Sequence, residues 1–422
     1  MPKVQPEIEA FARIKVIGVG GSGCNAVNHM VRSKVHGVEF VAMNTDAQHL
    51  HNSAPKKKIH IGKNLTRGLG TGMDSEIGRK AAEESLEDLQ NVIKGSDMVF
   101  VSCGLGGGTG TGAAPVIART AKEQGALTVA VVTKPFFFEG KHRMTIAEKG
   151  LNELRKEVDA IIAIPNDRLL GIVSKETSAE SAFAMCDETL RQAVEGISNI
   201  ITIPGLINVD FADIRTVMQN AGSALMGVGH GAGDERATEA ARGAINSPLL
   251  DLAIDGAKGV LFTISGGNDM TMLEIQEAAK LITESIDQEA KVIFGAVHDE
   301  KLKKNEIKVT VIACGFPETT SSEKGTKIEI NSQEQETEEA QPKEKTVSSA
   351  GDFKNEIKED REFESFKQTG KTSGQTSSGK TPTSQHPAEN KDFNEYNKPN
   401  EQDESEEDDW SSIPAFLRRS KK

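Results

Sequence analysis

The sequence predicts an α/β protein with a doubly wound parallel sheet, a long central helix, a smaller α+β second domain and a disordered C-terminal tail. Three observations support this prediction. Short apolar runs alternate with helical stretches, glycine-rich turns follow two of these runs, and the composition changes sharply near Pro317. Continuous apolar runs are typical of parallel strands that are buried on both faces. The 422 residues are enough for two or three domains.

Five short β-rich runs define the first domain. They cover residues 14–19, 38–43, 98–103, 127–132 and 160–164, and helical stretches separate them. Strands that alternate with helices in this way form a parallel sheet with helices on both faces. We therefore predict a doubly wound domain over residues 14–177, after an N-terminal extension of residues 1–13.

A long helix follows the first domain. Its apolar residues recur at spacings of three and four, as the buried face of a helix requires. They are Phe183, Cys186, Leu190, Val194 and Ile197. The pattern predicts a helix over residues 178–201, and the Pro-Gly pair that comes after it ends the helix. We assign residues 178–203 to this central helix.

The second domain is predicted over residues 204–316. Its strands are expected at residues 259–264, 292–297 and 307–313, around a helix at residues 272–285. This mixture of strands with one helix indicates a smaller α+β domain.

The composition beyond residue 316 differs from that of both domains. Residues 317–407 are rich in Ser, Thr, Glu, Gln, Lys and Asn and contain few aliphatic side chains. Such a segment cannot bury enough apolar surface to offset its ordering entropy, so we predict a disordered linker.

An acidic run at residues 404–409 leads into the segment of residues 408–422, which contains an apolar cluster and four basic residues. Three of the apolar side chains would share one face of a short helix, so we predict a peptide that docks in the groove of a partner protein. Its docking residues are Ile413, Pro414, Phe416, Leu417 and Arg418. The alternative is a frayed, charged terminus without a partner.

Composition and charge exclude several classes of protein. The net charge of −13 argues against broad nucleic-acid affinity, because phosphate backbones bind basic surfaces. The four cysteines are far apart and include no C-x-x-C pair, so neither a zinc site nor a disulfide framework is expected. Residues 1–13 contain no apolar core long enough for a signal peptide, and no window of the sequence approaches a membrane span. We expect a soluble, cytoplasmic protein.

The segment of residues 104–112 is the most informative in the chain. It reads GLGGGTGTG, follows an apolar strand and leads into a helix. Glycines allow backbone N–H groups to converge on an anion at a helix N-terminus, where the helix dipole adds positive potential. A plain turn needs fewer glycines. We therefore predict that this turn binds phosphate, with the candidate residues Gly107, Gly108, Thr109, Gly110 and Thr111.

Another glycine turn, at residues 18–23, matches G-x-G-x-x-G between a strand and a helix. By itself it suggests a dinucleotide site, with Asp46, slightly late in the chain, as the ribose reader. An NAD-dependent oxidoreductase is therefore an alternative. Two glycine turns, with a third glycine-bearing stretch at residues 68–72, fit a nucleoside triphosphate better. Neither main turn contains a lysine, so we expect backbone dipoles and a Mg²⁺ ion to neutralise the negative charge of the phosphates.

Three further polar clusters lie at residues 135–143, 165–167 and 208–213. Each of them also has a purely structural interpretation. Glu139 and Arg143 could form a surface ion pair, the asparagine of the second cluster could belong to a turn, and the acids of the third could cap a helix.

In this order, the motifs resemble those of the FtsZ family, the tubulin-like GTPases of bacterial cell division. The resemblance covers residues 14–316 and returns in the last dozen residues. The GTP-binding residues that it implies are Gly21, Ser22, Gly23, Cys24, Asn25, Gly107, Gly108, Thr109, Gly110, Thr111, Glu139, Arg143, Asn166, Phe183 and Asp187. Among them, Glu139 and Arg143 would contact the ribose side, Asn166 and Asp187 would read guanine, and Phe183 would lie against the base.

The resemblance also implies how GTP is hydrolysed. Asp210 and Asp213, with Asn208, would reach the nucleotide of the next subunit and position the attacking water. GTPase activity would then depend on assembly, because a head-to-tail contact completes the site and propagates into an open filament. A scaffold that binds GTP without turnover is the alternative.

The family's biology implies a location and partners. Filaments would form a ring at the division site, on the inner face of the membrane at midcell, and drive septation. Membrane-tethering adaptors and division regulators would bind the C-terminal peptide.

Three features depart from the family pattern. Ser22 stands in a turn that is often all glycine, and Phe137 adds bulk near the ribose side. Residues 71–75 replace the small-residue and proline pattern of the loop that senses the γ-phosphate. We therefore assign this loop no contacts.

Overall fold

The structure is a computed structural model that describes residues 12–171, 178–247, 249–250, 256–299 and 301–316. The predicted linker and docking peptide lie outside these residues, as does most of the N-terminal extension. None of the helices in the described ranges is long and apolar enough to span a membrane.

The described residues form strands and helices in the following order. Strands β1 to β10 are Ile14–Val19, Val38–Asn44, Lys57–His60, Met98–Gly104, Leu127–Lys134, Ala160–Pro165, Gly222–Ala232, Gly259–Gly266, Lys291–His298 and Glu306–Cys314. Helices α1 to α12 are Gly20–Arg32, Ala47–His51, Lys63–Thr66, Ser75–Glu84, Leu86–Ile93, Gly108–Glu123, Lys141–Glu157, Asn166–Leu170, Ala179–Thr202, Phe211–Met218, Arg236–Ile245 and Met272–Glu284.

All of these strands belong to one sheet, in the order β3-β2-β1-β4-β5-β6-β7-β10-β8-β9. Neighbouring strands from β3 to β7 are parallel. β10 runs antiparallel to both β7 and β8, and β9 is parallel to β8. The predicted α/β class with a doubly wound, mostly parallel sheet is confirmed. β7 pairs with β6 over residues 222–224, so the sheet continues without a break into the second half of the chain.

Every predicted strand is present, and most extend one or two residues further at their carboxyl ends. The predicted long helix is α9, whose first turn is capped by Ser178, and the predicted helix of the second domain is α12. The sequence patterns did not indicate β3, β7 or α11.

Helices cover both faces of the parallel strands. Val16 of β1 packs with α1 and α9 on one face, where Leu190 is fully buried. The next residue, Ile17, packs on the other face with α6 and α7, where Ile117 and Leu154 are fully buried. A separate cluster joins α11 and α12 to β8 and β10. Successive strand residues therefore serve two different cores, which explains the continuous apolar runs.

The strand direction places two groups of loops at opposite edges of the sheet. The carboxyl ends of β1, β4, β5 and β6 share one edge because these strands are parallel. α10 lies at the other edge, where Nη2 of Arg215 donates to the carbonyl oxygen of Gly125, just before β5, at 3.0 Å. The end of α9 also lies there, because Thr202 packs against Gly37, the residue that precedes β2.

Helix α11 packs directly on the backbone of β7. Gly227, Gly229 and Gly231 alternate along this strand, so all three face the same side. A Cβ atom on any of them would lie 2.0 Å from a carbonyl oxygen of α11. The three glycines therefore form a flat surface that only a hydrogen side chain permits.

We expect Gly229→Ala to lower the free energy of unfolding by about 1–3 kcal/mol, because the added methyl group forces α11 away from the sheet. Urea unfolding followed by circular dichroism measures this. Gly171→Ala is the matched control, because its Cβ would make an ordinary contact, 3.4 Å from the Arg168 carbonyl oxygen. Equal midpoints for the two variants would contradict the packing argument.

Candidate nucleotide-binding site

A cleft of about 570 Å³ lies at the edge where β1, β4, β5 and β6 end. Most of the predicted GTP-binding residues line it. They are Gly21, Ser22, Asn25, Gly107, Gly108, Thr109, Gly110, Glu139, Arg143, Asn166, Phe183 and Asp187. The cleft is also lined by residues that were not among the predicted binding residues, which are Val19, His49, Thr71, Gly104, Leu105, Thr133, Pro135 and Cys186.

The N-terminus of α6 opens into this cleft. The residue before the helix, Gly107, has no side chain that could cap its first N–H groups. A Cβ on Gly108 would lie 2.1 Å from Oγ1 of Thr71, and a Cβ on Gly110 would lie 2.8 Å from the carbonyl oxygen of Gly104. Glycine is therefore required sterically, and the exposed N–H groups with the positive end of the helix dipole make an anion site.

The first glycine turn packs against the second. Gly20, the first residue of α1, has a φ of 72°, and a Cβ on it would lie 2.9 Å from the backbone nitrogen of Gly110. Gly21 and Ser22 follow it and are exposed in the cleft. Two helix N-termini therefore meet at one place, which strengthens the positive potential there.

Three predicted binding residues, Gly23, Cys24 and Thr111, support the turns from inside and do not line the cleft. A Cβ on Gly23 would lie 2.3 Å from the carbonyl oxygen of Ser102. The Cys24 thiol is buried 3.6 Å from two backbone carbonyl oxygens, and burial raises its pKa to about 12. Oγ1 of Thr111 accepts a hydrogen bond from the backbone N–H of Gly106 at 2.9 Å. The close backbone approach at Gly23 and the side chains of Cys24 and Thr111 therefore stabilise the turns.

Three threonine hydroxyl groups meet beside the second glycine turn. Oγ1 of Thr109 lies 2.6 Å from Oγ1 of Thr45 and 3.3 Å from Oγ1 of Thr71. Thr71 belongs to the loop to which we assigned no contacts, and the structure places it in the cleft. The sequence signal for this placement is weak, since it consists only of the glycines around Thr71, of which Gly70 and Gly72 have positive φ.

Asn166, Phe183 and Asp187 line the part of the cleft nearest β6 and α9. Oδ1 of Asn166 is buried and has no hydrogen-bond partner among the described residues. Burial raises the pKa of the Asp187 carboxyl group to about 6, and the nearby His29 acts in the opposite direction. The half-exposed ring of Phe183 meets Phe136 edge to face, with centroids 5.4 Å apart. This set of groups suits a flat heterocycle that donates hydrogen bonds.

Glu139 and Arg143 form the i, i+4 ion pair that the structural interpretation of their spacing predicted, and both also line the cleft. Oε1 of Glu139 accepts from the backbone N–H of Phe136 at 3.0 Å. In the described part of the chain, no lysine lines the cleft, and only Arg143 and His49 could carry a positive charge there. Positive potential in the cleft therefore comes mainly from the backbone.

Asn208, Asp210 and Asp213 lie at the opposite edge of the sheet. Asp210 caps α10, because its Oδ1 accepts from the backbone N–H of Ala212 at 3.1 Å. Oδ1 of Asn208 accepts from the backbone N–H of Gly205 at 2.7 Å. All three predicted catalytic residues are exposed. Within one chain, the structure thus separates them from the predicted binding residues.

Over the ranges that the structure describes, no group of three or more His, Cys, Asp or Glu residues could hold a metal ion. The cleft offers hydroxyl and backbone groups instead. This donor set fits a Mg²⁺ ion that keeps mainly phosphate oxygens and water as its ligands.

Two family models match the chain. The GTPase domain of the tubulin/FtsZ family matches residues 13–174, and the C-terminal domain of the FtsZ family matches residues 222–317. The first of these contains most of the residues that line the cleft, apart from Phe183, Cys186 and Asp187 on α9, and the second begins with β7.

Solved structures agree with these matches. An empty FtsZ dimer from M. jannaschii is 47% identical, with a TM-score of 0.70 over 73% of this chain and 89% of that one. A tryptophan-to-tyrosine variant of M. jannaschii FtsZ is also 47% identical, with a TM-score of 0.70 over 72% and 92%. CetZ2 from Haloferax volcanii, solved as a protofilament with bound GTPγS, shares the fold at 20% identity and a TM-score of 0.61 over 71% and 92%. By sequence and by structure, the chain belongs to the tubulin/FtsZ family of cytoskeletal GTPases.

Proposed function

We propose that GTP binds in the cleft, that subunits assemble head to tail into filaments, and that hydrolysis is completed where two subunits meet. The supporting observation is that the binding residues and the carboxylates Asp210 and Asp213 lie at opposite edges of one sheet. The eight residues of β5 span roughly 25 Å, so these carboxylates do not reach the cleft of their own chain. A head-to-tail contact would bring them to the cleft of a neighbour, and such a contact repeats as an open filament.

Guanine fits the part of the cleft near Asp187. The carboxylate accepts hydrogen bonds from N1–H and the exocyclic amine of guanine, whereas adenine would direct a lone pair at it. The unpaired Oδ1 of Asn166 offers a second acceptor. Phe183 presents a half-exposed ring on which a base can pack.

The phosphates fit the glycine turns. Backbone N–H groups at the starts of α1 and α6 donate to the phosphate oxygens, and the hydroxyl groups of Thr71 and Thr109 lie beside them. Arg143, paired with Glu139, faces the ribose side. A Mg²⁺ ion, bound mainly through phosphate oxygens and water, would supply further charge neutralisation.

GTP hydrolysis requires the protein to position the reacting groups and to stabilise charge, and it requires no covalent chemistry from the protein. The carboxylates of the neighbouring subunit accept hydrogen bonds from the attacking water and orient it toward the γ-phosphate. Capping of α10 engages only Oδ1 of Asp210, and the side chain of Asp213 makes no hydrogen bond with any described residue. Both carboxylates are exposed, as a group that acts on another chain must be. Asn208 lies beside them.

The C-terminal peptide would connect the filaments to the membrane. Its apolar residues, with Pro414 and Arg418, would dock in grooves of membrane-tethering adaptors and division regulators. Filaments held in this way would form the ring at the inner face of the membrane at midcell. The support is the sequence pattern, because the peptide lies outside the described residues. A bacterial source stays a prediction, since the similar structures come from M. jannaschii and Haloferax volcanii.

Sedimentation with GTP, GDP, ATP and NAD⁺ in parallel, together with phosphate release, tests the proposal. We expect pelletable filaments and phosphate release with GTP alone. Assembly with GTP but without phosphate release would favour the scaffold alternative. Tight binding of NAD⁺ without an effect of GTP would favour the oxidoreductase.

Protons should compete with guanine for Asp187. Because the pKa of this carboxyl group is raised to about 6 and guanine requires the carboxylate, GTP affinity should fall by up to about tenfold per unit as the pH drops below 6. Titration with a fluorescent GTP analogue between pH 7.5 and 5.0 measures this. The control, Asp187→Asn, should bind GTP more weakly and without that pH step. A step of the same size in both proteins would assign it to another group.

The shared site predicts complementation between two inactive variants. Asp213→Ala should bind GTP and lose most of its turnover, whereas Asp187→Ala should lose on the order of 2 kcal/mol or more of GTP binding. A mixture should recover part of the GTPase activity, because the intact pocket of the first variant meets the intact carboxylates of the second. Phosphate release from each variant alone and from the mixture provides the comparison.

The dependence of GTPase activity on protein concentration provides a second test of the shared site. The wild-type GTPase rate per subunit can be measured while the protein is diluted until only monomers remain. If this rate did not fall on dilution, hydrolysis would not need a neighbouring subunit. That result would overturn the shared site and leave the assignment of the GTP-binding cleft intact.

A further inference from the structure

His49 lies in the cleft on the short helix α2, beside the first glycine turn. Its imidazole ring connects two asparagine side chains. Nε2 lies 3.0 Å from Oδ1 of Asn25 on α1, and Nδ1 lies 3.2 Å from Nδ2 of Asn44 at the end of β2. The backbone N–H of His49 donates to Oδ1 of Asp46 at 2.9 Å. The residue is therefore held at both ring nitrogens and at its backbone.

The hydrogen bonds of Asn44 decide which ring nitrogen carries the proton. Asn44 is buried, and its Oδ1 accepts from the backbone N–H of Asp46 at 3.3 Å. Its Nδ2 is therefore the atom that faces His49, and it donates to Nδ1 of the ring. A neutral imidazole whose Nδ1 accepts carries its proton on Nε2. His49 consequently donates to Oδ1 of Asn25.

This hydrogen bond fixes the orientation of the Asn25 amide. With Oδ1 turned toward His49, Nδ2 of Asn25 points away from the ring, and no described residue accepts a hydrogen bond from it. Asn25 and His49 both line the cleft. The amide thus presents a donor to a ligand, whereas a flipped amide would present an acceptor. Nucleotides are rich in acceptors, because phosphate, ribose and base oxygens all accept hydrogen bonds.

We propose that His49 is a positioning residue, which holds the Asn25 amide as a hydrogen-bond donor to the nucleotide in the cleft. This inference rests on the proposed function, because its ligand is the GTP that we place there. The competing role is that of a cation that binds phosphate directly. The hydrogen bonds argue against that role, since a doubly protonated ring would direct Nδ1–H at the amide donor of Asn44.

A double-mutant cycle separates the two roles. The affinities of wild type, His49→Ala, Asn25→Ala and the double variant for GTP and GDP are measured by calorimetry. We expect His49→Ala to weaken GTP binding about three- to tenfold, the range that one hydrogen bond gives. In the Asn25→Ala background the same substitution should have no further effect. Asp187→Ala provides the control background, in which the His49→Ala effect should persist.

Two further measurements test the positioning role of His49. His49→Gln, which can still donate to Asn25, should recover part of the lost affinity. Nitrogen-15 NMR of the histidine rings in the wild-type protein should show His49 with its proton on Nε2. A proton on Nδ1, or a full His49→Ala effect in the Asn25→Ala background, would overturn the positioning role. Wild-type protein that bound no GTP would instead overturn the proposed function.

Discussion

The nucleotide cleft depends on the contact between two glycine turns at the carboxyl edge of the sheet. β1 and β4 are adjacent and parallel, so the helices that follow them, α1 and α6, begin side by side. A Cβ on Gly20 would lie only 2.9 Å from the nitrogen of Gly110. Any larger side chain would separate the turns and disperse their N–H groups. The threonine hydroxyls and the Glu139–Arg143 pair surround an anion site whose geometry this contact sets.

Under the proposed function, the same contact explains how a chain with a net charge of −13 holds a triphosphate when no lysine stands among the described residues that line the cleft. Each helix N-terminus contributes roughly half a positive charge, and two of them meet here. Arg143 is largely neutralised by Glu139. The positive potential in the cleft thus comes mainly from the backbone. Under the proposed function, the side chain of Asp187, further along the same edge of the sheet, selects the base.

Local patterns predicted the elements that local physics determines, and they missed those that tertiary packing determines. Continuous apolar runs revealed the parallel strands, and a spacing of three and four revealed α9. β7 was not predicted, because the three glycines that pack against α11 are typical of a loop sequence. Thr71 and His49 were not predicted, because the loop that carries Thr71 and the short helix α2 that carries His49 have no periodic signal. The side chains of Cys24 and Thr111 belong to the two glycine-turn motifs but face inward, since side-chain direction within a turn follows backbone angles that composition does not specify.

Parallel strands also separate the two halves of the proposed reaction by a fixed distance. α9 begins beside the cleft and has 24 residues, so it extends about 36 Å toward the opposite edge, where Asp210 and Asp213 lie. A packed helix of this length cannot be shortened by a loop movement, so one subunit holds both halves of the site without joining them. Under the proposed mechanism, one head-to-tail contact joins the cleft of one subunit to the carboxylates of the next, so a subunit needs two neighbours to have both ends complemented. Under the proposed mechanism, the nucleotide in the last pocket of a filament therefore stays intact until another subunit covers it, and subunit addition and hydrolysis become successive steps of one cycle.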